Sequence, residues 1–103
     1  MGAEYFVVCD EARESVRLGK GRWNILSEGA LSEWPALTDD ECTAHVARCL
    51  PGVDVELVGA LTTAIQRWCI SMAWRVRVVS DADDAYATMR DYRVAFSRYA
   101  LPT

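Results

Sequence analysis

Cys42, His45 and Cys49, in the pattern Cys-x-x-His-x-x-x-Cys, are the residues whose types and spacing most resemble a reactive constellation, and His45 is the single histidine. Thiolate and imidazole are zinc ligands, and a cysteine beside a histidine is also a nucleophile with its base. Geometry constrains both readings. At about 1.5 Å per residue, positions 42 and 49 stand about 10 Å apart along one helix. Sulfurs sharing a zinc lie within about 4 Å of each other, given Zn–S bonds of about 2.3 Å. Two ligands from this helix joined by Cys9 or Cys69 is the metal arrangement that survives. A nucleophile would need a third group to orient its base and a pocket for the developing anion, and the sequence identifies neither. The plainer expectation is an apolar helical stripe with one histidine at its edge, holding no metal and no cofactor.

The other charged motifs read in the same way. Gly19-Lys20-Gly21 lacks the glycine spacing and the following Ser or Thr of a phosphate loop. Arg13, Arg17, Lys20 and Arg22 form a basic cluster, with Trp23 beside them able to stack on a base. Yet fifteen acids outnumber eleven bases for a net charge of −4, so the strongly basic footprint of a nucleic-acid binder is missing. The cluster is expected to be a solvated strand face. Arg75 and Arg77 would project together from a strand and guard an exposed edge. Asp81, Asp83 and Asp84 lack the alternating ligands, central glycine and distal glutamate of a calcium loop. They suit the start of a helix.

Tryptophan is enriched at binding hot spots. Trp68 and Trp74 fall on core-facing positions, whereas Trp23 and Trp34 fall in an irregular stretch outside any apolar stripe. The candidate partner-binding set is therefore Trp23, Trp34 and Arg22, with the acids Asp10, Glu11, Asp39, Asp40 and Glu41. The competing reading folds both rings back over a sheet.

The elements that must position these residues are legible in part. Tyr5–Cys9 is β-branched and aromatic, and Ser15–Leu18 alternates with Val16 and Leu18 inward and Ser15 and Arg17 outward, a hairpin across about five polar residues. Arg22–Leu26 reads as a third strand. Trp34 precedes Pro35 and is expected to be extended. Thr38-Asp39-Asp40-Glu41 is a capping box, followed by the stripe Cys42, Val46, Cys49 and Leu50, and ended by Pro51-Gly52. From an N-cap at Asp54, the stripe Leu57, Val58, Leu61, Ile65, Trp68, Cys69 and Met72 predicts a central helix to about Ala73. Trp74–Val79 alternates as a strand. Ser80 and Asp83 form a second box, and Tyr86, Met89 and Phe96 suit one face of a last helix that breaks near Tyr92 or reaches Tyr99. The expected fold is α+β in the order ββ(β)ααβα: a small, largely antiparallel sheet of three to four strands, with three helices on one face.

The 103 residues are half hydrophobic and a quarter charged, the composition of one globular domain. No apolar run approaches the roughly 18 to 20 residues that span a bilayer. Met1-Gly2-Ala3-Glu4 lacks the features of a signal peptide, and Phe6 stands where a myristoylation signal needs Ser or Thr. A cytoplasmic chain is expected, with four reduced cysteines on apolar faces. The function expected from type is a non-catalytic protein-binding module, such as an immunity-type inhibitor of a basic bacterial toxin. A symmetric homodimer, or a small Cys/His enzyme or metal protein, are the alternatives. Neither nucleic acid nor membrane is an expected partner.

Overall fold

A computed structural model describes residues 4–20, 32–49 and 52–97. The chain runs β1 (Glu4–Cys9), β2 (Glu14–Lys20), a 3-10 turn (Trp34–Ala36), α1 (Asp39–Cys49), α2 (Val55–Ser71), β3 (Arg77–Ser80), α3 (Tyr86–Met89) and β4 (Arg93–Ser97). The sheet order is β3-β1-β2-β4. β1 is antiparallel to both its neighbours, and β2 pairs with β4 in parallel. This is the expected α+β class: a mostly antiparallel sheet with three helices, in the order ββααβαβ.

The hydrophobic pattern of β1 dictates the layering. Phe6, Val7, Val8 and Cys9 are consecutive and all buried. Side chains alternate across a strand, so four buried in a row require cover on both faces. Val7 and Cys9 join Val16, Leu18 and Phe96 in a core with Cys42 and Val46 of α1 and Val58, Leu61, Ile65, Trp68 and Cys69 of α2. Phe6, Val8 and Val79 meet Met89 and Tyr92 on the reverse face. The helices are thus divided, not gathered on one face as expected: α1 and α2 cover one face, and the short α3 lies on the other, since β1 is apolar on both sides.

Local chemistry sets the element ends. In the capping box, the Thr38 amide donates to Glu41 Oε1 (3.1 Å) and the Glu41 amide donates to Thr38 Oγ1 (3.2 Å). Asp54 Oδ1 accepts from the amides of Glu56 and Leu57 and so starts α2. In β2, Gly19 is left-handed (φ 98°) where the register with β1 slips between Tyr5 and Phe6. Val16 and Leu18, two positions apart, turn inward together by ordinary strand alternation.

Several expectations are corrected. The last helix stops at Met89, and Arg93–Ser97 is instead the fourth strand. A continuous helix would keep Met89 and Phe96 near one stripe, but the two lie in the cores on opposite faces of the sheet. The chain crosses over and satisfies the free edge of β2, beginning with the Arg93 amide donating to the Arg13 carbonyl (3.0 Å). Ser15 is fully buried rather than outward, because the reverse face is covered as well. Trp34 opens a 3-10 turn with Pro35 in its first positions, where a missing N–H costs nothing. Its ring is only 1% exposed, and that burial outweighs the preference for extended backbone before proline. The third strand expected at Arg22–Leu26 lies outside the described residues.

The end of α2 delays β3 to Arg77. The Ala73 amide bonds the Ile70 carbonyl (3.0 Å) and the Trp74 amide bonds the Cys69 carbonyl (2.9 Å), a Schellman closure. Glycine usually holds the left-handed position, yet here Ala73 (φ 54°) and Trp74 (φ 58°) are both left-handed. Replacing Ala73 by Gly is therefore expected to stabilise the protein by about 1 kcal/mol. Equilibrium urea unfolding checks this, and an unchanged or lowered midpoint contradicts it.

Candidate functional site

The tip of the β1–β2 hairpin collects the densest set of charged contacts. Asp10 receives a bidentate fork from Arg77 (2.8 and 3.0 Å) and the hydroxyl of Tyr92 (2.8 Å). Arg75 Nη1 donates to both oxygens of Glu11. Glu14 accepts from Trp68 Nε1 and pairs with Arg93, both at 3.3 Å. The Arg13 guanidinium lies over the Tyr92 ring, 5.1 Å from its centroid. The Arg77 fork, then the Tyr92 hydroxyl, holds the Asp10 carboxyl below its ordinary range. Tyr92 is pushed up in turn, first because its proton is held by Asp10. Arg77, on the edge strand β3, and Arg75, just before that strand, tie the hairpin tip to the approach of β3.

The second acidic stretch behaves differently. Asp39, Asp40 and Glu41 are exposed on the first turn of α1. Asp39 accepts from Gln66 Nε2 (3.3 Å). Glu41 is held below the ordinary carboxyl range by the Thr38 amide, then by the Thr38 hydroxyl. The ion pairs among the described residues engage Glu4, Asp10, Glu11 and Glu14, and none of these three. One turn beyond Gln66, and on the same side of α2, stands Ile70, 62% exposed. A large aliphatic side chain thus stands in water one helical turn from the Gln66–Asp39 contact, and the three carboxylates of this turn take part in no ion pair among the described residues.

The remaining candidates fall elsewhere. Trp34 belongs to the core beside Cys42, whose sulfur lies 4.0 Å from the Trp34 carbonyl. Trp23 and Arg22 lie outside the described residues, as do Lys20 and Cys49 side chains. His45 is half-buried, and its Nε2 is enclosed with no hydrogen-bond partner among the described residues. Among those residues no group of three His, Cys, Asp or Glu side chains converges as a metal site. Cys9, Cys42 and Cys69 are free and buried. Burial raises the Cys42 thiol, aided by the charges of Asp39 and Glu41. Burial, with Cys9 as a lesser cause, pushes Cys69 up to about 12. Neutral thiols are poor nucleophiles and poor metal ligands.

Sequence reasoning missed Ile70 because it sits just off the apolar stripe of α2. It missed the Asp10–Arg77 and Glu11–Arg75 ties for another reason. The opposite charges are visible in the sequence, but only the antiparallel register of β1 and β3 brings them together. In comparisons with known proteins, no family model, curated protein or solved structure matches the chain. No helix among the described residues is long and apolar enough to cross a membrane.

Two outcomes follow from the protonation states. The folded carboxyl of Asp10 titrates below its unfolded value of 3.8, so its contribution to stability is complete above that pH and is lost as pH falls through the folded value. Wild type is expected to exceed Asp10→Asn by less than about 1 kcal/mol at neutral pH, the side chain being half exposed. Denaturation midpoints at neutral pH and at pH below the carboxyl range check this, and a gap that persists in acid contradicts it. Alkylation of the native protein at mildly alkaline pH, followed by peptide mapping, is expected to spare Cys42 and Cys69 until denaturant is added. Rapid native labelling of either contradicts their burial.

Proposed function

We propose that this chain is a non-catalytic protein-binding module of the cytoplasm, docking a basic protein through the first turn of α1 and the adjoining side of α2. The observation that carries the reading is Ile70, 62% exposed one turn from the Gln66–Asp39 contact. Exposed carboxylates outside the ion pairs of the described residues steer a basic partner and speed encounter. An aliphatic anchor one turn from them, desolvated by the partner, then slows dissociation. Asp10 and Glu11 contribute less, since their charge is already met by Arg77 and Arg75. An inhibitor that blocks a basic bacterial toxin, in the manner of immunity proteins, suits this surface.

Affinity purification of the tagged chain from its own host tests the reading. A basic protein is expected to be retained by wild type, to be lost with Ile70→Asp, and to associate more slowly with Asp40→Lys. Retention unaffected by Ile70→Asp, or no basic protein at all, overturns it. A second reading, a homodimer closed through a strand edge, is favoured by Val94, half-exposed on β4 at the end of the sheet. Sedimentation at micromolar concentration separates the two, because a monomer removes the dimer.

A further inference from the structure

The reverse face of the sheet, away from α1 and α2, contains a half-open cavity of about 200 Å³ between α3, the start of β4 and the strands β1 and β2. One lining residue is Ser15, fully buried, with an Oγ that has no hydrogen-bond partner among the described residues. A buried hydroxyl left unpaired costs free energy, and such groups in native proteins call for an explanation. The ladder between β2 and β4 slips between Ser15 and Val16. Slips of this kind re-aim side chains beside functional sites.

The rest of the lining describes a ligand. Phe6 and Tyr86 stand as a tilted ring pair, centroids 5.7 Å apart, and Met89 completes an apolar wall. Such a wall favours a third ring, through edge contacts and through sulfur. At the rim, Arg17 is bonded through Nε to Glu4, while Arg90 is exposed and forms no ion pair among the described residues. Among the described lining residues it is the Arg90 guanidinium that has no carboxylate paired with it. Guanidinium groups bind carboxylates by planar, charge-assisted hydrogen bonds. For scale, a dry cavity of about 150 Å³ accepts benzene, so this one accommodates a single ring bearing small polar substituents.

We propose that this cavity binds a hydroxylated single-ring aromatic carboxylate, with the ring against Phe6, Tyr86 and Met89, the acid at Arg90 and the ring hydroxyl at Ser15 Oγ. The site is independent of the protein-docking surface, from which it is separated by the sheet. Neither proposal depends on the other.

The test uses the full chain and three probes followed by amide NMR: para-hydroxybenzoate, benzoate and para-hydroxybenzyl alcohol. Saturable shifts are expected at Ser15, Met89 and Val94, with para-hydroxybenzoate the tightest of the three. Ser15→Ala is expected to weaken para-hydroxybenzoate by about tenfold and leave benzoate unchanged. Arg90→Gln is expected to weaken both carboxylates and leave the alcohol unchanged. Both variants change groups whose removal spares the core, and their undisturbed spectra check that they fold. No saturable shift at millimolar probe, equal affinity for all three, or binding indifferent to both variants overturns the proposal.

Discussion

The architecture depends on the burial of β1 from both sides. A strand with one wet face tolerates a polar residue at every second position, but Phe6, Val7, Val8 and Cys9 offer none. One face takes the two long helices, whose stripes were shaped for it. The other is too small for a long helix and is closed by Val79, Met89 and Tyr92. That closure obliges the chain after α3 to return across the sheet, where it becomes a strand. The same constraint buries Ser15, the neighbour of Val8 in the ladder.

Elements specified by local chemistry were the ones legible in the sequence. The Thr38–Glu41 box and the Asp54 cap each involve residues within three positions of one another, so their meaning does not depend on the rest of the fold. The stripe from Val58 to Cys69 is similarly local. Arg93–Ser97 shows the opposite case. Its five residues suit a helix end as well as a strand, and what decides between them is an unfilled edge almost eighty positions earlier, at Glu14. Trp34 was misjudged for a related reason. Its position before proline is a local signal, while the core that encloses it includes strand and α2 residues far off in the sequence.

The candidate surfaces divide along the same line. Acidic residues are evident in the sequence, but whether an acid acts as a free charge or as an internal tie is a tertiary matter. Asp10 and Glu11 became ties because the chain returns past them at Arg75 and Arg77. The first turn of α1 faces no such return among the described residues. Its carboxylates serve the helix dipole and stay outside the ion pairs of the described residues. Neither Ile70 nor the space beside Ser15 has any mark in the sequence. Each is defined by what a neighbouring element leaves uncovered.

The parallel pairing of β2 with β4 also bears on how the chain is made. A ribosome delivers Glu14 long before Arg93, so the hairpin and both long helices are available for docking while one edge of β2 still has no companion. Local segments order quickly, and contacts between distant segments wait. Among the described strands the last in the chain is the one that fills this edge, so the Arg93–Ser97 segment completes the ladder only through a contact that spans almost the whole sequence.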